Sequence, residues 1–264
     1  MSASSQWADL APRVFSGVIM LIVGALAVYF GGWPFRGLIW GIGGLMMWEL
    51  ARMFDAEFPL GLGLIGALTL ALSELISGLT MTPLFIVPLI IAATLVAVGQ
   101  VKSDRVRFGA YTAWILAGSL ALMMLRLQDG IVWALWLILV VIMSDVAGYF
   151  AGRMLGGPKF WPAISPKKTW SGTIAGWLGA AVIGLIFMGP TGAGVMLIPL
   201  SMLTGFAGQM GDIAQSALKR RKGVKDSSDL LPGHGGVFDR FDAMLGASTF
   251  VALLWITGWV PALS

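Results

Sequence analysis

No cysteine occurs anywhere in the 264 residues, and there is only one histidine. These absences exclude a disulfide framework, a thiolate metal site and a cysteine nucleophile, and they leave no zinc cluster built on histidines. A serine–histidine triad would have to rest on His234 alone. Charge is scarce as well: Asp, Glu, Lys and Arg make up 11% of the chain, against about 25% in an ordinary soluble domain. Mean hydropathy is +0.87, and 58% of residues are apolar. Together these values describe a polytopic membrane chain. The net charge of +4 is not a nucleic-acid signal, because its meaning depends on where the cations lie, and no nucleic-acid partner is expected.

Roughly 20 apolar residues cross a bilayer as a helix. By that measure the sequence predicts an all-α protein with nine transmembrane helices, at about 14–33, 37–54, 60–79, 83–99, 108–125, 131–150, 173–189, 193–211 and 243–260. The first is read as a retained anchor and not a cleaved signal, since its apolar run continues through Val28, Tyr29 and Phe30. Of the Lys and Arg residues, 15 fall on the side of the N-terminus and the even-to-odd connections, and two, Arg36 and Arg126, fall on the other. The positive-inside rule then places the N-terminus in the cytoplasm and the C-terminus opposite. Long connections are confined to the cytoplasmic side, at about 151–172 and 212–242. Residues 1–135 read as a scaffold of helices and 136–264 as the part that carries the chemistry, within one integral membrane unit. Small-residue spacing at Gly37/Gly41 and Gly172/Gly176 predicts close helix packing at both places.

An acid inside a span costs about 2.5–3.5 kcal/mol at the helix centre. Asp145, late in the sixth span, therefore calls for a partner, a cation or a wet cavity. Glu49 and Arg52 are three apart on one helical face, which an internal ion pair explains. Glu74 stands nearly alone toward the outer end of the third span, with no functional account. Asp212 ends the eighth span, and Asp239 and Asp242 open the ninth on one face. Such a trio of carboxylates suits a hard divalent ion such as Mg²⁺, which keeps waters and takes phosphate oxygens as its other ligands.

The cations complete the pattern. Lys219, Arg220, Arg221, Lys222 and Lys225 follow the eighth span, and Arg240 lies between the two aspartates. The tight run Pro232-Gly233-His234-Gly235-Gly236 offers backbone N–H groups to a phosphate. Ser165, Lys167, Lys168 and Thr169 add hydroxyls and charge on the same side. His234 either touches phosphate or holds the loop. Carboxylates for a metal beside clamps for phosphate imply phosphoryl or nucleotidyl transfer at the cytoplasmic face.

The run from Ser216 to Asp242 resembles the signature of the phosphatidate cytidylyltransferase family. The matching positions include Ser216, Leu218, Lys219, Arg220, Lys225, Asp226, Pro232, His234, Gly235, Gly236, Asp239, Arg240 and Asp242. Ser144-Asp145, Gly148-Tyr149, Gly152-Arg153 and Ile164 to Thr169 resemble the family's second motif, and Trp48-Glu49 is also family-like. One departure is Ser171, where the family commonly has glutamate; no role is assigned to it. The resemblance implies that CTP and phosphatidic acid give CDP-diacylglycerol and pyrophosphate with Mg²⁺, in a bacterial cytoplasmic membrane. It implies metal ligation by Asp212, Asp239 and Asp242, phosphate binding by the lysines and arginines, and a homodimer. Two other readings remain open at this level: a CTP-dependent lipid kinase, and a transporter whose acids line an ion path.

Overall fold

The computed structural model describes residues 3–80 and 86–256. The start of the fourth expected span (83–85), the end of the ninth (257–260) and the Arg13 side chain lie outside the described residues. Among them are nine α-helices: α1 (Ala3–Phe30), α2 (Gly32–Met53), α3 (Pro59–Thr80), α4 (Ile86–Gly99), α5 (Arg105–Gln128), α6 (Ile131–Leu155), α7 (Trp170–Phe187), α8 (Leu197–Arg221) and α9 (Phe238–Ile256). Each covers most of an expected span. Five apolar stretches, in α3, α5, α6, α7 and α8, are long enough to cross a membrane, and Val14–Phe30 and Ile86–Gly99 are shorter apolar helices. The chain is an all-α membrane protein; among the described residues one two-stranded sheet is the exception.

That exception is an antiparallel hairpin, β1 (Lys159–Trp161) and β2 (Ser165–Thr169), in the connection expected as loop. The preceding α6 ends at Gly156 (φ 61), and Gly157 (φ 102) continues the left-handed turn that redirects the chain. Thr169 ends the hairpin and caps α7, its Oγ1 accepting from Gly172 N at 3.2 Å. Packing of Trp170 on Phe160 (ring centroids 4.7 Å apart) fastens the hairpin to that helix start.

The chain forms two compact units, Met1–Met123 with Val224–Phe241, and Met124–Gly223 with Asp242–Ser264. The loop before α9 groups with the N-terminal helices. In the first unit α2 packs on α3, with α1 on α2 and α4 on α3. Phe35, Met46, Met47, Leu62, Leu70 and Leu116 are among its fully buried side chains. The α2–α3 contact runs over Gly43, Gly44, Gly63 and Gly66, where added Cβ atoms would strike the facing helix. Gly37 and Gly41 do not take part: a Cβ at either meets nothing within 4 Å. The expectation of packing there is corrected, since α2 buries the face of Phe35, Ile39, Gly43 and Met46 instead.

In the second unit α7 packs between α6 and α8. Here the glycine expectation holds. A Cβ on Gly172 would lie 2.6 Å from Gly148 O, and one on Gly176 would collide with Gln209 and Ser144. Gln209 uses the resulting close approach. It accepts from Trp177 Nε1 at 3.1 Å and donates to Ser144 Oγ at 3.1 Å and Thr173 O at 3.3 Å, so one buried amide ties three helices together.

Candidate active site

In the second unit, Asp145 (α6), Lys168 (β2) and Asp212 (α8) come together with Asp242 (α9). Lys168 Nζ pairs with Asp212 Oδ2 at 2.5 Å, and Ser216 Oγ donates to Asp212 Oδ1 at 3.2 Å. Asp242 is 7% exposed, its Oδ1 accepting from Ala243 N at 2.7 Å. It lies within electrostatic reach of Asp212, Lys219 and Asp145, and Asp145 within reach of Lys168 and Asp212. Glycines permit this: a Cβ on Gly211 of α8 would collide with Asp242 O and one on Gly208 would lie 3.2 Å from Ala243 O, so the two helices approach at backbone level beside the acids.

Helix α8 runs to Arg221 instead of stopping near 211, so Lys219, Arg220 and Arg221 form its last turn rather than following it. There they complement the negative end of the helix. Lys167 projects from β2 exposed, and Ser165 pairs with Trp161 across the hairpin. Thr169 and Ser171 are internally engaged. Their hydroxyls are 3.0 Å apart, and Ser171 Oγ donates to Gly156 O at 2.5 Å. Ser171, to which the sequence assigned no role, thus ties the end of α6 to the start of α7.

The first unit holds the rest of the motif. Asp239 Oδ2 accepts from Ser227 N (2.8 Å), Ser227 Oγ (3.0 Å) and Gly236 N (2.9 Å). The N–H of His234 goes to Leu231 O. Gly235 (φ 81) and Gly236 make room for carboxylates: a Cβ on Gly235 would lie 3.0 Å from Asp239 Oδ2, and one on Gly236 would overlap Ser227 and Glu49. The loop N–H groups expected to approach a phosphate are, at His234 and Gly236, spent on protein acceptors. His234 holds the loop: its Nδ1 is 2.8 Å from Ser16 Oγ, which also donates to Pro232 O at 2.9 Å. Arg240 Nε donates to His234 O at 3.0 Å, and Lys225 is exposed.

Glu49 was misjudged from sequence. It forms no ion pair with Arg52, whose guanidinium lies over the Trp48 ring at 4.9 Å. Instead, at 0% exposure, it accepts from Ser228 Oγ (2.5 Å), Ser227 Oγ (3.0 Å), Val237 N (2.8 Å) and Phe238 N (2.7 Å). Glu74 is also accounted for, pairing with Arg36 Nε at 2.9 Å. Sequence reasoning also passed over Ser227, Ser228 and Gln209. A glutamine three residues before Asp212, within the apolar part of α8, was the available signal for the last.

Among the described residues no three His, Cys, Asp or Glu side chains already stand as a metal-binding group. Asp145, Asp212 and Asp242 offer oxygens alone, the donor type a hard cation takes, with Lys168 and Lys219 among the charges that oppose theirs.

Helices of membrane-spanning length thus carry a cluster of carboxylates with lysines beside it, the features of a membrane-embedded protein with a charged site. Residues 11–257 match the model of the cytidylyltransferase family, and the chain belongs to that family. It is 34% identical over 263 residues to the phosphatidate cytidylyltransferase of Bacillus subtilis (strain 168), covering 93% of this chain and 97% of that protein. It is 34% identical to the Brucella suis enzyme of the same name (96% and 95% covered) and 33% identical to that of Helicobacter pylori strain J99 (92% and 91%).

Proposed function

We propose that the chain carries out the reaction its relatives are named for, transferring CMP from CTP to phosphatidate to give CDP-diacylglycerol and pyrophosphate. The observation that carries this is the Asp145–Lys168–Asp212–Asp242 cluster, on a chain aligned over nearly its full length with enzymes of that name. An oxygen of the lipid phosphate attacks the α-phosphorus of CTP, and the bond from that phosphorus to the bridging oxygen of the β-phosphate breaks. The attacking oxygen is already anionic, so the site needs no strong base. Its task is to bring two polyanions together and to stabilise the departing pyrophosphate. Lys168 is placed to exchange Asp212 for a phosphate oxygen, and Lys167, Lys219 and Arg220 of the same unit supply further positive charge; the family resemblance adds Lys225 and Arg240 as phosphate-binding residues. Asp212 and Asp242, with Asp145 beside them, would hold Mg²⁺, which when bound neutralises triphosphate charge. Asp239, which anchors the loop through Oδ2, lies one helical turn before Asp242 on α9.

The same reading places the site on the cytoplasmic face of a bacterial inner membrane, with nine spans, the N-terminus inside and the C-terminus outside. The 15-to-two bias of cations supports it. So do contacts within the first unit. Ser16, Glu49 and the loop 227–238 meet at one end, and the α2–α3 and α4–α5 connections join through Glu57 N and Gln100 O at 3.0 Å. The lipid enters sideways from the bilayer while CTP arrives from the basic aqueous side, and a homodimer is part of the proposal.

Purified protein in detergent, given phosphatidate and CTP carrying one label in the base and another in the γ-phosphate, tests the reaction. Base label should pass into the lipid phase and γ-label into pyrophosphate. Transfer of γ-label to a lipid, leaving CDP in water, would instead identify a lipid kinase.

A further inference from the structure

The first N–H groups of α9 form an anion-binding nest of the kind that receives phosphate in many nucleotide sites. Here the nest is already filled from within. We infer that Glu49 is a positioning residue: an internal carboxylate that takes the place of a phosphate at the start of α9 and so sets the conformation of the loop 226–239. This inference rests, for its kinetic arm, on the reaction proposed above.

An acid placed in an apolar helix must recover its desolvation cost locally. Glu49 does so entirely through neutral donors, two hydroxyls and two backbone N–H groups, all at 2.5–3.0 Å. Each oxygen receives one of each kind: Oε1 from Ser228 and Val237, Oε2 from Ser227 and Phe238. The donors stand 178 to 189 residues away in sequence, so a single side chain of α2 ties down both ends of the loop. Ser227 Oγ, with one proton to give, lies 3.0 Å from both Glu49 Oε2 and Asp239 Oδ2, so the two carboxylates share it. Phe238, 0% exposed, closes the arrangement against Tyr111 and Trp114.

Two consequences follow. The N-terminus of α9 is closed to CTP, whose phosphates must be met by side-chain cations. And Arg240, bonded to His234 O in the same loop, keeps its place only while Glu49 holds the loop.

Glu49→Gln tests this with minimal change of shape. Whichever way the amide is turned, its NH₂ faces either Val237 N–H or Phe238 N–H, so one nest donor loses its acceptor. The comparison uses full-length protein in detergent: wild type, Glu49→Gln and Ser228→Ala. KM is measured for CTP and for phosphatidate, together with the rate of tryptic cutting at Lys222 and Lys225. Glu49→Gln should raise KM for CTP by about tenfold or more and leave KM for phosphatidate within about twofold. It should also speed cutting at these two sites, which precede the loop, several-fold. Ser228→Ala, which removes one donor, should shift both readouts in the same direction by less, and it decides the matter if Glu49→Gln does not fold. Unchanged CTP affinity with unchanged cutting, or equal rises in both KM values, would overturn the inference. If the wild type turns over no CTP, the cutting rates decide the role of Glu49 by themselves.

Discussion

Gln209→Leu probes the link between the buried frame and the chemistry. The substitution keeps the volume and apolar burial of the side chain but removes the acceptor for Trp177 Nε1 and the donors to Ser144 Oγ and Thr173 O. Hydrogen bonds between helices within a membrane contribute about 0.6 kcal/mol each, so the loss of three destabilises by roughly 2 kcal/mol. At about 2–4 °C per kcal/mol for a chain of this size, Tm should fall by about 4–8 °C. Activity should suffer more than stability. Ser144 precedes Asp145, and Gln209 lies one helical turn before Asp212, so relaxing this crosslink moves both carboxylates. A displacement near 1 Å at a reacting centre costs on the order of a hundredfold, and the drop should appear in kcat/KM at temperatures where the variant is fully folded. The assay is thermal unfolding in detergent beside CTP turnover on the same preparation. Wild-type Tm and wild-type turnover together would refute the claim that Gln209 fixes the acids.

Other outcomes follow from the same geometry. Gly176→Ala should destabilise by about 1–3 kcal/mol through collision with Gln209 and Ser144, whereas Gly41→Ala, which meets nothing, should be neutral or stabilise by about 0.5–1 kcal/mol; paired melting curves separate the two. Ser171→Ala should lose stability by about 1 kcal/mol with the loss of its bond to Gly156 O, and a melting curve identical to wild type would deny that bond any role. Burial pushes the Asp129 carboxyl, between α5 and α6, up to about 6. As pH rises from about 4 to about 6 the unfolded chain therefore loses this proton first, and stability falls across that window. Asp129→Asn should flatten that slope and gain about 1 kcal/mol at neutral pH, after allowance for solvent screening of a half-exposed group; stability profiles from pH 4 to 7 read it directly.

The helices were legible because lipid imposes one simple rule, and runs such as Ile131 to Val141 obey it. The acids of the site were legible for the opposite reason: Asp145 violates the rule, and a violation needs a compensating partner. What escaped reading was whatever hydropathy does not encode. Beyond Gly211, α8 keeps helix-forming residues (Ala214, Gln215, Ala217, Leu218) while turning polar, so the helix continues where the apolar run stops. Glu49 was assigned to its neighbour Arg52 because spacing along a helix shows only local partners, and its real partners lie nearly 180 residues on. Glycine spacing alone could not say which face of α2 is buried, so Gly37/Gly41 and Gly172/Gly176 read alike. The phosphate-loop reading of Gly235 and Gly236 named the right need, close approach by an anion. That anion belongs to the protein.

On the proposed function, the carboxylates of the second unit run a cation-assisted nucleotidyl transfer. The most direct test is pyrophosphate release from CTP and phosphatidate, followed during a Mg²⁺ titration of EDTA-stripped wild type and Asp242→Asn. The account predicts no release from wild type without Mg²⁺, saturable recovery on its addition, and loss of about a hundredfold or more in Asp242→Asn with its folded fraction intact. Full release from EDTA-stripped protein, or undiminished release from Asp242→Asn, would contradict it.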